Sequence, residues 1–216
     1  MPVHSANIER DESDESLEAD LEAIWVEIEP PVVRRLMIAA VQEFAIHGYH
    51  GTTTRDIASR AGLSPAGVYV HFKSKEQLLY RISLVGHQRS LEVLAEAASS
   101  TTDPLARLRA VVSAFSSWHA RYHMPAKVIN YEIGALSEEH FLEIGALRRR
   151  IDAAVRATLD DGIERGAFVI PDVGGMALAL LSLAIDAARW YRPAGQRTPA
   201  EIGTLFADLA ERMVRP

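Results

Sequence analysis

The sequence predicts an all-α protein, and three observations carry that prediction. Helix-start signals recur along the chain, at Thr53, Ser64-Pro65, Asp103-Pro104, Pro125, Ser137 and Thr198-Pro199. Between them, apolar residues fall at the i, i+3, i+4 and i+7 spacing of a stripe down one helix face. Glycines stand where stripes end, at Gly48, Gly62 and Gly166. A chain of 216 residues buries a core without staples and makes one or two domains. It has no cysteine, which excludes a disulfide framework and thiolate chemistry and fits a reducing compartment. No apolar run reads as a membrane span and no signal-peptide pattern is present, so the expectation is a soluble, cytoplasmic protein without membrane contact.

The first element, residues 1–29, is an acidic extension. Residues 1–31 hold ten acids against the single base Arg10, so the overall charge of −6 leaves +3 for everything after them. Up to about Asp14 the composition is that of a disordered segment. From 16 to 28, however, Leu17, Leu21, Ile24, Trp25 and Ile28 form an apolar stripe that predicts an amphipathic helix. Such a helix needs a surface on which to bury Trp25. Its acidic face is also suited to lie against a basic surface as a mimic of DNA, which predicts that deleting residues 1–29 raises affinity for non-cognate DNA.

Pro30 and Pro31 open the first body helix, with Val33, Leu36, Met37, Ala40, Val41 and Phe44 on its apolar side and His47-Gly48 at its end. Two short helices around a tight turn follow. Thr53 caps the first, which carries Ile57, Ala58 and Ala61 inward, and Gly62 stops it. Ser64 caps the second, Pro65 takes the first helical position, where a missing N–H costs nothing, and Val68 and Phe72 face inward. This is the sequence form of a helix-turn-helix, whose second helix enters a DNA major groove. No acidic side chain lies between Asp56 and Glu76, and Arg55, Arg60, Lys73 and Lys75 add positive charge. The candidate DNA contacts are Thr53, Thr54, Ser64, Pro65, Ala66, Gly67, Tyr69, His71, Lys73 and Lys75. Of these, Thr53, Thr54, Tyr69, Lys73 and Lys75 are assigned to phosphates, and the small residues Ser64 to Gly67 to base edges. Arg34 and Arg35 are further phosphate candidates.

The run TTTRDIASRAGLSPAGVYVHFKSKEQLL, Thr52 to Leu79, resembles the DNA-binding signature of the tetracycline-repressor-like (TetR) family of bacterial transcription regulators, and the likeness extends from Val33 to Tyr80. Gly67 departs from the pattern, because many relatives carry a better helix former there. Glycine costs about 1 kcal/mol of helix propensity, which predicts a helix that completes its ordering on DNA. The resemblance implies a three-helix DNA-binding domain, here 30–82, and a larger helical ligand-binding and dimerisation domain, here 83–216. It further implies a repressor that binds a palindromic operator as a homodimer and is released by a small effector.

Ser74 and Gln77 form a capping box for a helix from Lys75 towards Ala98, the one continuous link between the two parts. Helices then run from Asp103-Pro104 to about His123, from Pro125 to Leu136, and from Ser137 to Gly166. Met176 to Tyr191 is almost continuously apolar, and the last helix carries Ile202, Leu205, Phe206, Leu209 and Met213 on one face. A helix apolar all round is buried on more than one side, so these last two helices are expected to form a four-helix bundle with a second copy.

An effector pocket is expected among Phe115, Trp118, Tyr122, Val128, Tyr131, Phe141 and Trp190, although aromatics at helical spacing are commonly plain core. Two arginine groups bear on its chemistry, Arg148-Arg149-Arg150 and the pair Arg189 and Arg192. The segment Ala187 to Gly195 is similar to TetR-type regulators of lipid and steroid breakdown, some of which respond to acyl-CoA thioesters; Arg149 and Arg189 would suit the phosphates of such a ligand. No Gly-rich phosphate loop or nucleophile elbow is present, so no enzyme chemistry and no cofactor is implied. His119 and His123 stand i, i+4 with Glu132 or His140 as conceivable partners, but a pair without a clear third ligand makes no metal site. The alternative is a helical small-molecule-binding or scaffold protein that uses the helix-turn-helix for protein contact.

Overall fold

The computed structural model describes residues 19–22 and 25–215, so the expectations for residues 1–18 and for Ile24 lie outside the described residues. The secondary structure described is helical throughout: α1 (Pro31–Gly51), α2 (Thr54–Arg60), α3 (Pro65–His71), α4 (Lys75–Ser99), α5 (Pro104–Arg121), α6 (His123–Tyr131), a 3-10 turn (Ile133–Ala135), α7 (Glu138–Glu164), α8 (Val173–Trp190) and α9 (Pro199–Val214). The chain divides into two compact units. The first runs up to Ile82 and takes in Val128–Leu136; the second comprises Ser83–Lys127 and the chain from Ser137 onward. Both α4 and α6 therefore pass from one unit into the other. A boundary drawn along the sequence had left α4 as the only continuous link.

In the first unit α1 buries Leu36, Met37, Ala40, Val41 and Phe44, the stripe the sequence shows. Its helical run breaks at Gly48, whose φ of 71° suits only glycine, and one further turn follows to Gly51. The end is closed by other residues. Thr52 donates to the carbonyls of Gly48 (2.8 Å) and Glu43 (3.1 Å), and the Lys75 ammonium donates to those of Tyr49 (2.6 Å) and Thr52 (2.7 Å).

The described part of the acidic extension is packed into this unit. Leu21, Trp25 and Ile28 are buried, Trp25 to 1% exposure, while Glu22, Glu27 and Glu29 face out. The helix expected to reach 28 turns away at Trp25–Glu27, where the approach to Pro30 and Pro31 disfavours helical backbone. Arg34 donates to the carbonyl of Val26 at 2.9 Å, so this arginine ties the extension to α1. Deleting residues 1–29 would strip core from the unit as well as charge.

In the second unit α5 packs against α7, α8 and α9. Its core joins Leu108, Val111, Val112 and Phe115 of α5 to Ile151, Val155 and Leu159 of α7, Leu180 and Ala184 of α8, and Ile202 and Phe206 of α9. Ion pairs fix the register. Arg107 meets Asp161 of α7 at 2.8 Å, and Arg109 grips Asp208 and Glu211 of α9. Helix α8 corrects one expectation, since its 18 residues at a mean hydropathy of 1.4 are long and apolar enough to cross a membrane by length and composition. Its alanine-rich side, Ala177, Ala184, Ala187 and Ala188, instead lies buried in this bundle, and Asp186 and Arg189 interrupt the other side.

Candidate functional site

The helix-turn-helix forms from local chemistry. Thr53 accepts from the Asp56 N–H, and the Asp56 carboxylate accepts from the Thr53 N–H (2.8 Å) and hydroxyl (2.6 Å), a reciprocal cap on α2. Those hydrogen bonds from Thr53 hold the Asp56 carboxyl below its ordinary range. Helix α2 ends into Gly62, whose φ of 66° turns the chain, and the Leu63 N–H closes on the Ala58 carbonyl at 2.8 Å. Ser64 then accepts from the Gly67 N–H at 3.2 Å, with Pro65 at the first position of α3. Val68 and Phe72 are buried as the spacing required.

What α3 shows outward is small and uncharged near its start. Ser64, Pro65, Ala66, Tyr69 and His71 are exposed, and Gly67 partly so. The Tyr69 hydroxyl lies 3.3 Å from Thr54 Oγ1, joining α3 to the start of α2 beside an open cleft lined by Thr53, Thr54, Arg55, Asp56, Pro65 and Tyr69. Val70, at 78% exposure, stands out on this face and was not among the sequence candidates. Valine on a seven-residue helix reads as core by composition; only its position two residues after Val68 marks it as facing out.

Two expected cations have inward duties. The Arg60 Nε donates to Glu43 Oε1 at 2.5 Å, joining α2 to α1 across a carboxylate that is otherwise buried. Lys75 closes the end of α1 and sits 4.3 Å from the centre of the Tyr49 ring, so two of its three ammonium hydrogens are engaged. Lys73 and Arg55 remain exposed. Ser74 accepts from the Gln77 N–H and Gln77 from the Lys73 N–H, so the capping box is shifted by one residue on its return arm.

Helix α3 is formed despite Gly67. A Cβ built there meets Ser64 Oγ at 3.6 Å and Leu63 Cβ at 3.8 Å, ordinary contact distances. Gly67→Ala should therefore raise the thermal stability of the first unit by up to about 1 kcal/mol. If the missing side chain is there to admit DNA, operator affinity falls in the same variant; a melting curve and a binding titration on one sample read both.

The expected effector residues differ in burial. Phe115 and Tyr122 are buried, and the Trp118 ring meets Tyr122 at a 58° tilt with ring centres 4.2 Å apart. Tyr131, Phe141, Arg149, Arg189 and Trp190 are exposed. Arg189 forks onto Asp186, and Arg192 donates to the carbonyls of Arg189 and Tyr191, so both arginines serve the end of α8. Trp190 meets Phe206 edge-on at 6.4 Å and lies on the outer side of α8 and α9. His119 and His123 part company: His119 packs edge-on to Phe115 and His123 on Tyr191. Among the described residues no group of three metal-ligating side chains gathers.

A capped turn presenting a short, exposed, acid-free helix, carried by a chain whose remainder is a larger helical bundle, is the arrangement of a DNA-binding transcription regulator. Residues 36–82 match the model of "Bacterial regulatory proteins, tetR family", and residues 101–214 that of "Tetracyclin repressor-like, C-terminal domain". The chain belongs to the TetR family. It is 30% identical to the HTH-type transcriptional repressor KstR2 of Mycobacterium tuberculosis over 175 residues, 79% of this chain and 86% of that one. A crystal structure of a tetR-family regulatory protein from Rhodococcus RHA1 superposes with a TM-score of 0.82 at 38% identity, covering 86% of this chain and 98% of that one. The fold is also that of AibR, solved in complex with isovaleryl coenzyme A and operator DNA (TM-score 0.75, 24% identity, 86% and 98% covered).

Proposed function

We propose that this protein is a cytoplasmic homodimeric repressor that binds a palindromic operator through α3 and releases it when a small apolar or acyl-CoA-like effector enters the second unit. Residues 30–82 serve as the DNA-binding domain and 83–216 as the effector and dimerisation domain. The observation that carries the reading is the outward face of α2 and α3, small, uncharged and free of acid from Ile57 to Lys75. Ser64, Pro65, Ala66 and Gly67 meet base edges, Val70 offers an apolar contact for a thymine methyl, and Thr53, Thr54, Tyr69, His71 and Lys73 hold the backbone. Arg55 joins the phosphate set.

Dimerisation is supported by an apolar surface on the second unit. On α8, Met176, Ala179, Leu183 and Trp190 lie on one side; on α9, Leu205, Leu209 and Met213 do. Trp190 on Phe206 brings the two stripes together. Leu183, Trp190 and Met213 are exposed and the rest only partly buried, and such a surface on adjoining helices suits a second copy. KstR2 is named a repressor and AibR has been solved with both a coenzyme A thioester and operator DNA, which supports the same pairing of ligands here. Coupling would use α4 and α6, the helices whose residues belong to both units.

Selection of bound duplexes from a random pool, then titration of the winner at two salt concentrations, tests the reading. A palindrome with a log–log salt slope of about −0.9 per phosphate contact is the expected result. Recovery of no motif, or salt-independent binding, would favour protein contact through the helix-turn-helix instead. Tyr69→Ala should weaken binding to operator and scrambled duplex alike, by about tenfold, because its role is to position the backbone. Fluorescence anisotropy on both duplexes reads this; a loss confined to the operator contradicts the assigned role.

A further inference from the structure

Within the second unit a polar cluster is buried where α4 and α5 carry their histidines. His87 Nδ1 donates to the Ser83 carbonyl at 2.7 Å, and His119 Nδ1 donates to the Phe115 carbonyl at 2.8 Å. A carbonyl only accepts, so each Nδ1 holds the proton, and in a neutral ring each Nε2 is left as a bare lone pair. The two rings lie close enough to feel each other's charge. Beside them, Ser83 and Ser116 are fully buried, and neither hydroxyl has a hydrogen-bond partner. Among the described residues no donor meets either Nε2. Two buried hydroxyls without partners, each within a helical turn of a buried neutral imidazole, are a costly arrangement for stability alone.

The same cluster shares a wall with an apolar cavity. Leu94, Val111, Val112, Phe115, Val155, Leu180, Leu181 and Ala184 line a space of about 10 Å³, room for one water-sized sphere. Phe115 lines it on one side and meets the His119 ring edge-on at 4.4 Å on the other. An apolar space lined by Phe115, whose ring also meets the neutral His119 imidazole, matches a guest with an apolar body and, if it passes that ring, an uncharged donor at its tip. A carboxylate would face two lone pairs of like polarity and lose its water. The charged group that faces His87 from α7 is Arg148, which disfavours a charge on that ring; burial does the same to both rings.

We propose that Ser83, His87, Ser116 and His119 form a buried subsite for the hydroxyl, or an equivalent neutral hydrogen-bond donor, of an apolar effector. The guest donates to one Nε2 and accepts from a serine hydroxyl, while its body widens the Phe115 cavity. This rests on the reading of the second unit as an effector domain.

Calorimetric titration of the full-length protein at pH 7.5 with 1-octanol, octyl methyl ether and octanoate separates the two claims. Octanol should bind about tenfold tighter than the ether, which has the same apolar body without the donor, and octanoate should be weakest. Ser116→Ala should cut the octanol preference while raising the melting temperature, since it removes an unpartnered hydroxyl. His119→Phe should bring the octanol-to-ether ratio near one. Equal binding of alcohol and ether overturns the subsite and leaves the effector chamber standing. Tightest binding by octanoate overturns it in favour of an anion site. Binding of none of the three overturns subsite and chamber together, while operator binding by the same sample still stands as a separate result.

Discussion

Acidification from pH 6.5 to pH 4 should lower stability by about 2–3 kcal/mol through each of two buried histidines. Burial is the first cause: it pushes His87 and His119 down to about 4, against an ordinary value of 6.5. The bonds to the Ser83 and Phe115 carbonyls pull the other way and are outweighed; Arg148 beside His87, and His87 beside His119, add to the lowering. His123 moves in the same direction, again mainly through burial. With folded values below the unfolded one, the unfolded chain binds more protons throughout this window. Stability is therefore fully present above pH 6.5 and falls as the pH drops towards 4. Urea unfolding at steps of half a pH unit measures the slope. Replacing His119 by Gln should remove about half of the acid loss between these limits, and an unchanged slope in that variant would sink the account.

The same histidines show where sequence reading stops. Caps and turns are local, so Thr53, Gly62, Ser64 with Pro65, Asp103, Ser137 and Thr198 declare themselves within three or four residues, and the structure uses each at a helix end or turn. Inward and outward faces of α1 and α3 follow from the same short-range periodicity. Partners far along the chain do not. Lys75 reaches back 26 residues to Tyr49, and Arg60 reaches back 17 to Glu43, so two cations that looked free for phosphate hold the first unit together. His119 draws attention with His123 by helical spacing, yet its neighbour across the core is His87, 32 positions earlier, and nothing local announces that pairing. The aromatic residues were chosen by type, and type does not say which side of a helix faces out. Phe115 and Tyr122 are buried, whereas Trp190 belongs to an outer surface.

That outer surface sets the second large effect. If the proposed dimer forms through this surface, a glutamate at Leu183 together with one at Leu209 should yield monomers and cost about a hundredfold or more in affinity for the proposed palindromic operator. Leu183 is 38% exposed and Leu209 only partly buried, so each has room to turn its charge to water in a single chain. Across a dyad the same carboxylates would be buried against apolar partners and against their own copies. The helix-turn-helix, in the other unit, is untouched by the change. Each monomer keeps its hold on one half-site, but the second half-site no longer binds at the high local concentration that a tethered partner provides. Sedimentation velocity fixes the mass, circular dichroism checks that the fold is retained, and a titration on full and half operators gives the binding. Monomers that hold full and half operators with equal, weak affinity are the expected outcome. A dimer that survives the double substitution would move the interface off α8 and α9, and monomers with undiminished full-operator affinity would mean that one copy of α3 is enough.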